Sequence, residues 1–324
     1  MIRCANYKDI PKIMEFIGKY WGGNHIMSRD RTLFEFQHVW DKETAYIISE
    51  NEEKKLEGIL GYIPYDKENR DIMLAIWKTI KTDDTMLGVK MLEFLHRMPG
   101  IHSVSAPGIN PDTRPIYHFF GIKTGLMRQW YRLKKTHDYQ IAIVKNKTIP
   151  EYKTGGITVQ EYQDFNQLLD IFDIENCLKR QGHPYKSVAY LKRRYYGHPV
   201  FYYLKYGVEK ENSRLLVVLR VQKCNGSAVL RVVDGIGDES LFQYFAPVLD
   251  ELMAKYQCEY ADLYETGVED IILQDGGWIQ TKDTENIIPE YFSPYEQRNI
   301  DIYYMSSIPD VVLFKADGDM DRPN

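Results

Sequence analysis

The chain has 324 residues, 44% hydrophobic and 27% charged, the balance of an ordinary folded protein and not of a disordered or fibrous one. Its length exceeds the usual single-domain range of about 100–200 residues, so two cores are expected. A net charge of −5 gives no general attraction to phosphate backbones and argues against DNA binding.

The first half opens on the alternation of Ile2 and Cys4. Ile10, Ile13, Met14, Ile17 and Tyr20 then follow at helical spacing behind a capping Asp9, which predicts a strand and an amphipathic helix. A second helix is expected near residues 30–40. The β-rich runs 44–51 and 55–66, divided by a polar turn, read as a hairpin. Residues 71–80 predict a fourth strand, which leads through the polar loop 81–85 into a helix at 87–98. A short strand at 102–108, a helix at 111–121 and strands at 127–133 and 138–144 complete this half. Such alternation belongs to a mixed sheet flanked by helices.

The polar stretch 145–156 has the Pro and Gly content of a linker, and a domain boundary is placed near residue 150, between units 1–148 and 156–324. The same order then repeats: a strand at 156–162, helices at 164–178 and 186–196, strands at 200–208, 214–222 and 228–236, a helix at 239–256, a strand at 260–265 and a helix at 268–278. No residue-level identity links the halves, so the repeat is one of architecture.

No stretch approaches the roughly 20 apolar residues that span a bilayer, and the N-terminus carries no signal-like apolar run. A cytoplasmic location without a membrane span is expected. Cys4, Cys177, Cys224 and Cys258 form no C-x-x-C pair, which argues against a zinc ribbon, a redox motif or a disulfide framework. No metal cofactor is expected. Asp317, Asp319 and Asp321 alternate as calcium-loop ligands do, but the Gly and distal Glu of such a loop are missing. This acidic tail either covers a site or satisfies the basic segment described next.

Between residues 176 and 208 there is no Asp or Glu, while seven Lys and Arg residues fall there among several tyrosines. Lys192, Arg193, Arg194 and Tyr195 are the candidates for holding a phosphate and stacking a base or sugar ring. A helix that exposes cations to water and packs tyrosines inward has the same sequence pattern.

The string NPDTRPIYHFFGI sets Asn110, Tyr117, Gly121 and Ile122 at spacings of seven, four and one. A Tyr on the first turns of a helix beside diverging strands can place its hydroxyl near a thioester sulfur and protonate the leaving thiolate. Gly121 suits the left-handed position that ends such a helix. This constellation resembles the GNAT (GCN5-related N-acetyltransferase) family. The resemblance implies an α/β (α+β) fold of two tandem GNAT-like domains, each a mixed, mostly antiparallel sheet flanked by helices, with Tyr117 as general acid and Asn110 touching the pantetheine arm of coenzyme A.

A second, partial likeness lies in the loop DDTMLGVKML, where GNAT proteins bind the pyrophosphate of coenzyme A through backbone N–H groups. It implies cofactor contacts from Ile80, Thr85, Met86, Leu87, Gly88 and Val89. Asp83 stands where the family has Gln or Arg, and Met86 replaces the first glycine, both unfavourable to a diphosphate. Asp71 and Glu57, at strand starts, are the candidates for the base that deprotonates an acceptor.

In the second half Leu273 stands at the Tyr position, Thr266 replaces the Asn, and acidic residues surround Gly235 and Gly237. That half reads as a substrate-binding or packing partner. The leading expectation is an acyl-CoA-dependent N- or O-acyltransferase acting on a small polar acceptor, such as an amino sugar or nucleotide-linked sugar of surface polysaccharide biosynthesis. The tandem arrangement also resembles, more distantly, the Fem-type aminoacyl transferases, which implies an aminoacyl-tRNA donor. A non-catalytic scaffold is the third reading.

Overall fold

A computed structural model describes all residues except 23, 69, 136, 137, 293 and 324. In chain order the strands are β1 (Ile2–Asn6), β2 (Val39–Trp40), β3 (Glu43–Glu50), β4 (Leu56–Pro64), β5 (Asp71–Thr79), β6 (Ser103–Ile109), β7 (Lys123–Leu126) and β8 (Arg128–Leu133). They continue with β9 (Thr158–Glu161), β10 (Leu204–Lys210), β11 (Ser213–Cys224), β12 (Ser227–Gly237), β13 (Cys258–Thr266), β14 (Ile279–Gln280), β15 (Tyr303–Ser306) and β16 (Leu313–Phe314). The helices are α1 (Ile10–Tyr20), α2 (Ile26–Arg29), α3 (Arg31–His38), α4 (Leu87–His96), α5 (Arg114–Phe119), α6 (Phe165–Ile171), α7 (Ile174–Lys179), α8 (Val188–Leu191), α9 (Ala246–Lys255) and α10 (Asp270–Asp275).

Two eight-stranded sheets result, ordered β1-β3-β4-β5-β6-β15-β7 with β2 on β3, and β14-β8-β13-β12-β11-β10-β9 with β16 on β13. Pairing is antiparallel except at β5–β6 and β12–β13. The expected fold class of two mixed, mostly antiparallel sheets flanked by helices is what the chain adopts. The sheets exchange strands: β8, from the first half, lies between β14 and β13 of the second sheet, and β15, near the C-terminus, fills the place between β6 and β7 of the first. Each sheet is therefore completed by the opposite half of the chain.

Several elements differ from the expectation for local reasons. Residues 138–144 make a single bridge, Ile143 to Ile287, in place of a strand. The backbone N–H groups of Gln140, Ile141 and Ala142 instead surround the Glu259 carboxylate at 2.6–3.3 Å, a carboxylate nest that a ladder would have to break. The helix expected at 164–178 is two, because Asp173 takes a left-handed φ of 49° and its side chain caps the Asn176 N–H. The long helix expected at 239–256 begins as a 3-10 turn, and α9 starts where Pro247 can stand without losing a helical hydrogen bond.

Ile10, Ile13 and Ile17 of α1, with Leu33 and Phe34 of α3, pack on one face of the first sheet against Ile48, Ile59 and Ile76. Met91, Leu92 and Leu95 of α4, with Tyr117 of α5, cover the other face against Ile47, Leu60 and Leu74. The alternation of Ile47 and Ile48, or of Leu60 and Ile59, between the two faces is the period-2 signature of a sheet buried on both sides. Among the described residues no helix is long and apolar enough to cross a membrane.

Candidate active site

β5 and β6 pair only at their starts, where Asp71, Ile72 and Met73 oppose Ser103, Val104 and Ser105. Beyond that point the strands part. The ladder between β4 and β5 shifts register between Leu60 and Tyr62, so that Ala75 and Ile76 together oppose Gly61. One extra residue bends β5 away from β6, as a bulge does. On the other side Pro107 has no N–H to offer, and Gly108 turns to φ 77°.

The gap opens into a cleft of about 370 Å³, lined by Leu74, Ala75 and Trp77 of β5, by the end of β6, and by Asn110 and Tyr117. Asn110 caps the turn that leads into α5 by accepting from the Asp112 N–H at 2.9 Å. α5 ends as the spacing predicts: the Ile122 N–H donates to the Tyr117 carbonyl at 2.9 Å, and Gly121 holds φ 71°. Tyr117 is 3% exposed and stands beside Trp77, ring centroids 6.0 Å apart. Burial pushes its phenol up to about 12, so the hydroxyl keeps its proton at neutral pH.

The N-terminus of α4 reaches the same place. A Cβ on Gly88 would lie 3.4 Å from the Trp77 ring, so Trp77 touches both the start of α4 and the Tyr117 side of the cleft. The Gly88 and Val89 N–H groups make no hydrogen bond within the described residues, as expected of a first helical turn. The Asp84 carboxylate accepts from the Met86 N–H at 3.1 Å and from Lys90 Nζ at 2.7 Å. The anion at this helix end is thus the chain's own, and it is Asp84, with Asp83 exposed alongside. Thr85 and Met86 are exposed, Leu87 is buried in the core, and the Ile80 N–H is taken by the Glu57 carbonyl at 2.9 Å.

Asp71 is not placed to act as the acceptor's base, and this corrects the expectation. It sits at the paired end of β5, 1% exposed, and its carboxylate accepts from Ser103 Oγ at 2.7 Å, the Tyr185 N–H at 2.6 Å, His102 Nδ1 at 3.0 Å and His183 Nδ1 at 3.2 Å. Burial opposes its ionisation, yet those donors hold it below the ordinary carboxylate value. Glu57, at the start of β4, is also absent from the cleft lining. The carboxylates that do line it are Glu290, Asp301 and Asp319, none of which the sequence reading singled out for catalysis. Glu290 is neutralised by Arg231 and Lys315, and Asp319 pairs with Arg322 at 2.6 Å. Asp301 is exposed and has no partner among the described residues.

The basic segment is not gathered at the cleft. Arg193 donates to the Phe36 carbonyl at 2.7 Å, Arg194 is buried and donates to the Asp321 carbonyl at 2.8 Å, and the Tyr195 hydroxyl donates to Asp234. Lys192 lies over the Phe165 ring. Arg193 reaches across to the first half, while Arg194 and Tyr195 are buried against Asp321 and Asp234 of the second, so these arginines are not exposed to water in the way the packing pattern expected. Buried cations hold the tail: Lys186 pairs with Asp234 at 2.6 Å and Asp317 at 3.0 Å, and Arg220 with Asp321 at 2.5 Å. Lys186, Arg194 and Arg220 against Asp234, Asp317 and Asp321 leave no net charge, the condition under which buried ions are tolerable.

The second sheet repeats the first and is closed. β12 and β13 also part after a short parallel stretch, and Leu273, Gly277 and Trp278 repeat the helix ending of Tyr117, Gly121 and Ile122, with Gly277 at φ 71° and the Trp278 N–H on the Leu273 carbonyl at 3.1 Å. Leu273 has no proton to give. β16 pairs with β13 in the gap, and the Ala316 N–H donates to Val233 of β12 at 2.8 Å.

Solved structures provide the comparison. A GCN5-related N-acetyltransferase from Anabaena variabilis superposes with a TM-score of 0.58 at 10% identity, over 94% of this chain and 72% of that one. The fold is that of the GCN5-related N-acetyltransferases. A provisionally assigned acetyltransferase from Pyrococcus horikoshii matches the GNAT-like pair of sheets with a TM-score of 0.51 at 10% identity, over 94% of this chain and 88% of that one. No protein-family model matches the sequence, and no curated protein does.

Proposed function

We propose that the chain is an acyl-CoA-dependent N- or O-acyltransferase whose chemistry resides in the first GNAT-like unit, residues 1–148. The observation that carries this reading is Tyr117, a protonated phenol lining the gap between β5 and β6 within reach of a ligand threaded through it. The pantetheine arm lies in that gap, with the Gly88 and Val89 N–H groups directed at the diphosphate and Asn110 beside the arm. The acceptor's nucleophile attacks the thioester carbonyl, the new C–N or C–O bond forms, and the C–S bond breaks. Tyr117 delivers its proton to the departing thiolate, and the acceptor's proton leaves toward the open, acid-lined side of the cleft, where Asp301 is unpaired. A small polar acceptor suits that lining, and an amino sugar or a nucleotide-linked sugar is the class we favour.

The second unit serves as support, because its own gap is filled by β16 and its Tyr position is Leu273. Calorimetric titration with acetyl-CoA tests the reading. Binding with one site per chain is expected, and absence of binding at millimolar ligand overturns it. With an acceptor in hand, Tyr117→Phe lowers kcat by about 10²-fold or more and leaves acetyl-CoA affinity unchanged.

A further inference from the structure

We propose that Asp71, His102 and His183 form a binding site for a divalent transition metal of the zinc class, joining the two halves of the chain. Asp71 begins β5, His102 directly precedes β6, and His183 stands on the loop between α7 and α8. His102 Nδ1 lies 3.0 Å from one oxygen of the Asp71 carboxylate, and His183 Nδ1 lies 3.2 Å from the other. One ligand atom from each residue falls within a common 4.8 Å span.

Zinc bonds nitrogen and carboxylate oxygen at about 2.0–2.2 Å, which sets neighbouring ligand atoms of a tetrahedral centre about 3.3 Å apart. Each Nδ1 already lies near that distance from one carboxylate oxygen, His102 from one and His183 from the other. The set converges on a single ion by rotation of the imidazoles, whose side chains are 53% and 49% exposed and so open to an entering ion. Two neutral imidazoles and one carboxylate select a borderline metal over calcium or magnesium, which prefer all-oxygen sets.

The support around the carboxylate is also in place. Ser103 Oγ donates to one oxygen and the Tyr185 N–H to the other, fixing the plane of the group from behind while the histidines face it from the exposed side. On binding, each imidazole exchanges an Nδ1–H hydrogen bond for a bond to the metal and carries its proton on Nε2. The site reaches the tail as well, because the His183 carbonyl accepts from the Val312 N–H at 2.8 Å, one residue before β16. A bound ion therefore ties the paired starts of β5 and β6 to the segment that closes the second sheet.

Calorimetry of the full chain, stripped with chelator, against Zn2+ alone is the test. One equivalent is expected to bind and to raise Tm, with His102→Ala and His183→Ala each weakening it by at least about tenfold and Ser103→Ala by about tenfold. Co2+ in the same site is expected to show the intense visible absorption of a tetrahedral complex. As a readout that needs no variant, Zn2+ should protect His102 and His183 of the wild-type chain from carbethoxylation. No binding in molar excess of Zn2+, binding undiminished in the double variant, or equal modification of both histidines with and without Zn2+ would each overturn the proposal.

Discussion

The Ala316 N–H donates to the Val233 carbonyl at 2.8 Å, and through this bond the tail stitches shut, in the second sheet, the gap that stays open in the first. From there the chain passes Tyr65, whose hydroxyl donates to Asp317 and accepts from the Gly318 N–H, and Met320 comes to rest against Gly108 at the cleft. The same dozen residues thus close one site and floor the other. This asymmetry separates the two units more decisively than Tyr117 against Leu273 does, since a filled gap admits no ligand whatever its side chains.

The exchange of β8 and β15 predicts that the halves do not fold separately. Residues 1–148 alone would leave β6 and β7 unbridged, with open edges on both, while β8 would lose its partners β13 and β14. The fragment is expected to be aggregated or without a cooperative transition in circular dichroism and denaturant titration. A soluble 1–148 fragment with a single sharp unfolding transition would show that β15 is dispensable.

Asp321 anchors the tail. It is fully buried, accepts from Tyr203 at 2.8 Å and Arg220 at 2.5 Å, and its pKa is held down to about 2, where burial works against ionisation and Arg220 and Arg194 more than offset it. Asp321→Ala leaves two buried guanidinium groups without their counter-ion and should cost about 3–5 kcal/mol in urea unfolding. Asp321→Asn retains part of the hydrogen bonding and should cost less. A loss below about 1 kcal/mol for the alanine variant would mean that water or another carboxylate replaces the pair.

Much of this fold was legible in the sequence, because its strands are β-branched runs with turn signals between them and its main helices carry a clear 3.6-residue stripe. Tyr117 and Gly121 were legible for the same reason, being local spacing within one helix. The strand exchange was not. MRQWYRL and IDIYYMSS have the same pattern in either sheet, and pairing partners more than 100 residues apart leave no trace in a local window. The roles of Arg193 and Arg194 were hidden likewise: a run of cations beside tyrosines looks alike whether it faces a ligand or a buried aspartate from the tail. Asp71 misled because its strand-start position is shared by solvated carboxylates, while its four donors come from two distant points of the chain, residues 102–103 and 183–185.

At α4, the Asp84 carboxylate occupies the position an anionic ligand would take, accepting from the Met86 N–H and paired with Lys90. Asp84→Asn removes that charge and frees Lys90. If coenzyme A binds as proposed, the variant should bind it about two- to fivefold more tightly, with the difference fading at high salt. Weaker binding would show that Asp84 organises the loop more than it repels the ligand.

His38 contributes to the pH dependence of stability. It is fully buried among Phe34 and Tyr46, and its Nδ1–H donates to the Tyr62 carbonyl at 3.0 Å, which assigns the neutral ring with Nε2 facing Gln37. Burial lowers its pKa to about 4, against about 6.5 in an unfolded chain. Above pH 6.5 both states are neutral and the stability is intact. As pH falls from there toward 4, the unfolded chain takes up a proton that the folded one refuses, and stability declines by about 3 kcal/mol in total from this residue. His38→Gln can still donate to Tyr62 but cannot titrate, so its stability between pH 6 and 4.5 should fall less steeply than that of the wild type, by about one proton in the slope. Parallel slopes for the two proteins, measured by urea titration across that range, would show that His38 titrates normally or that its burial is relieved before the chain unfolds.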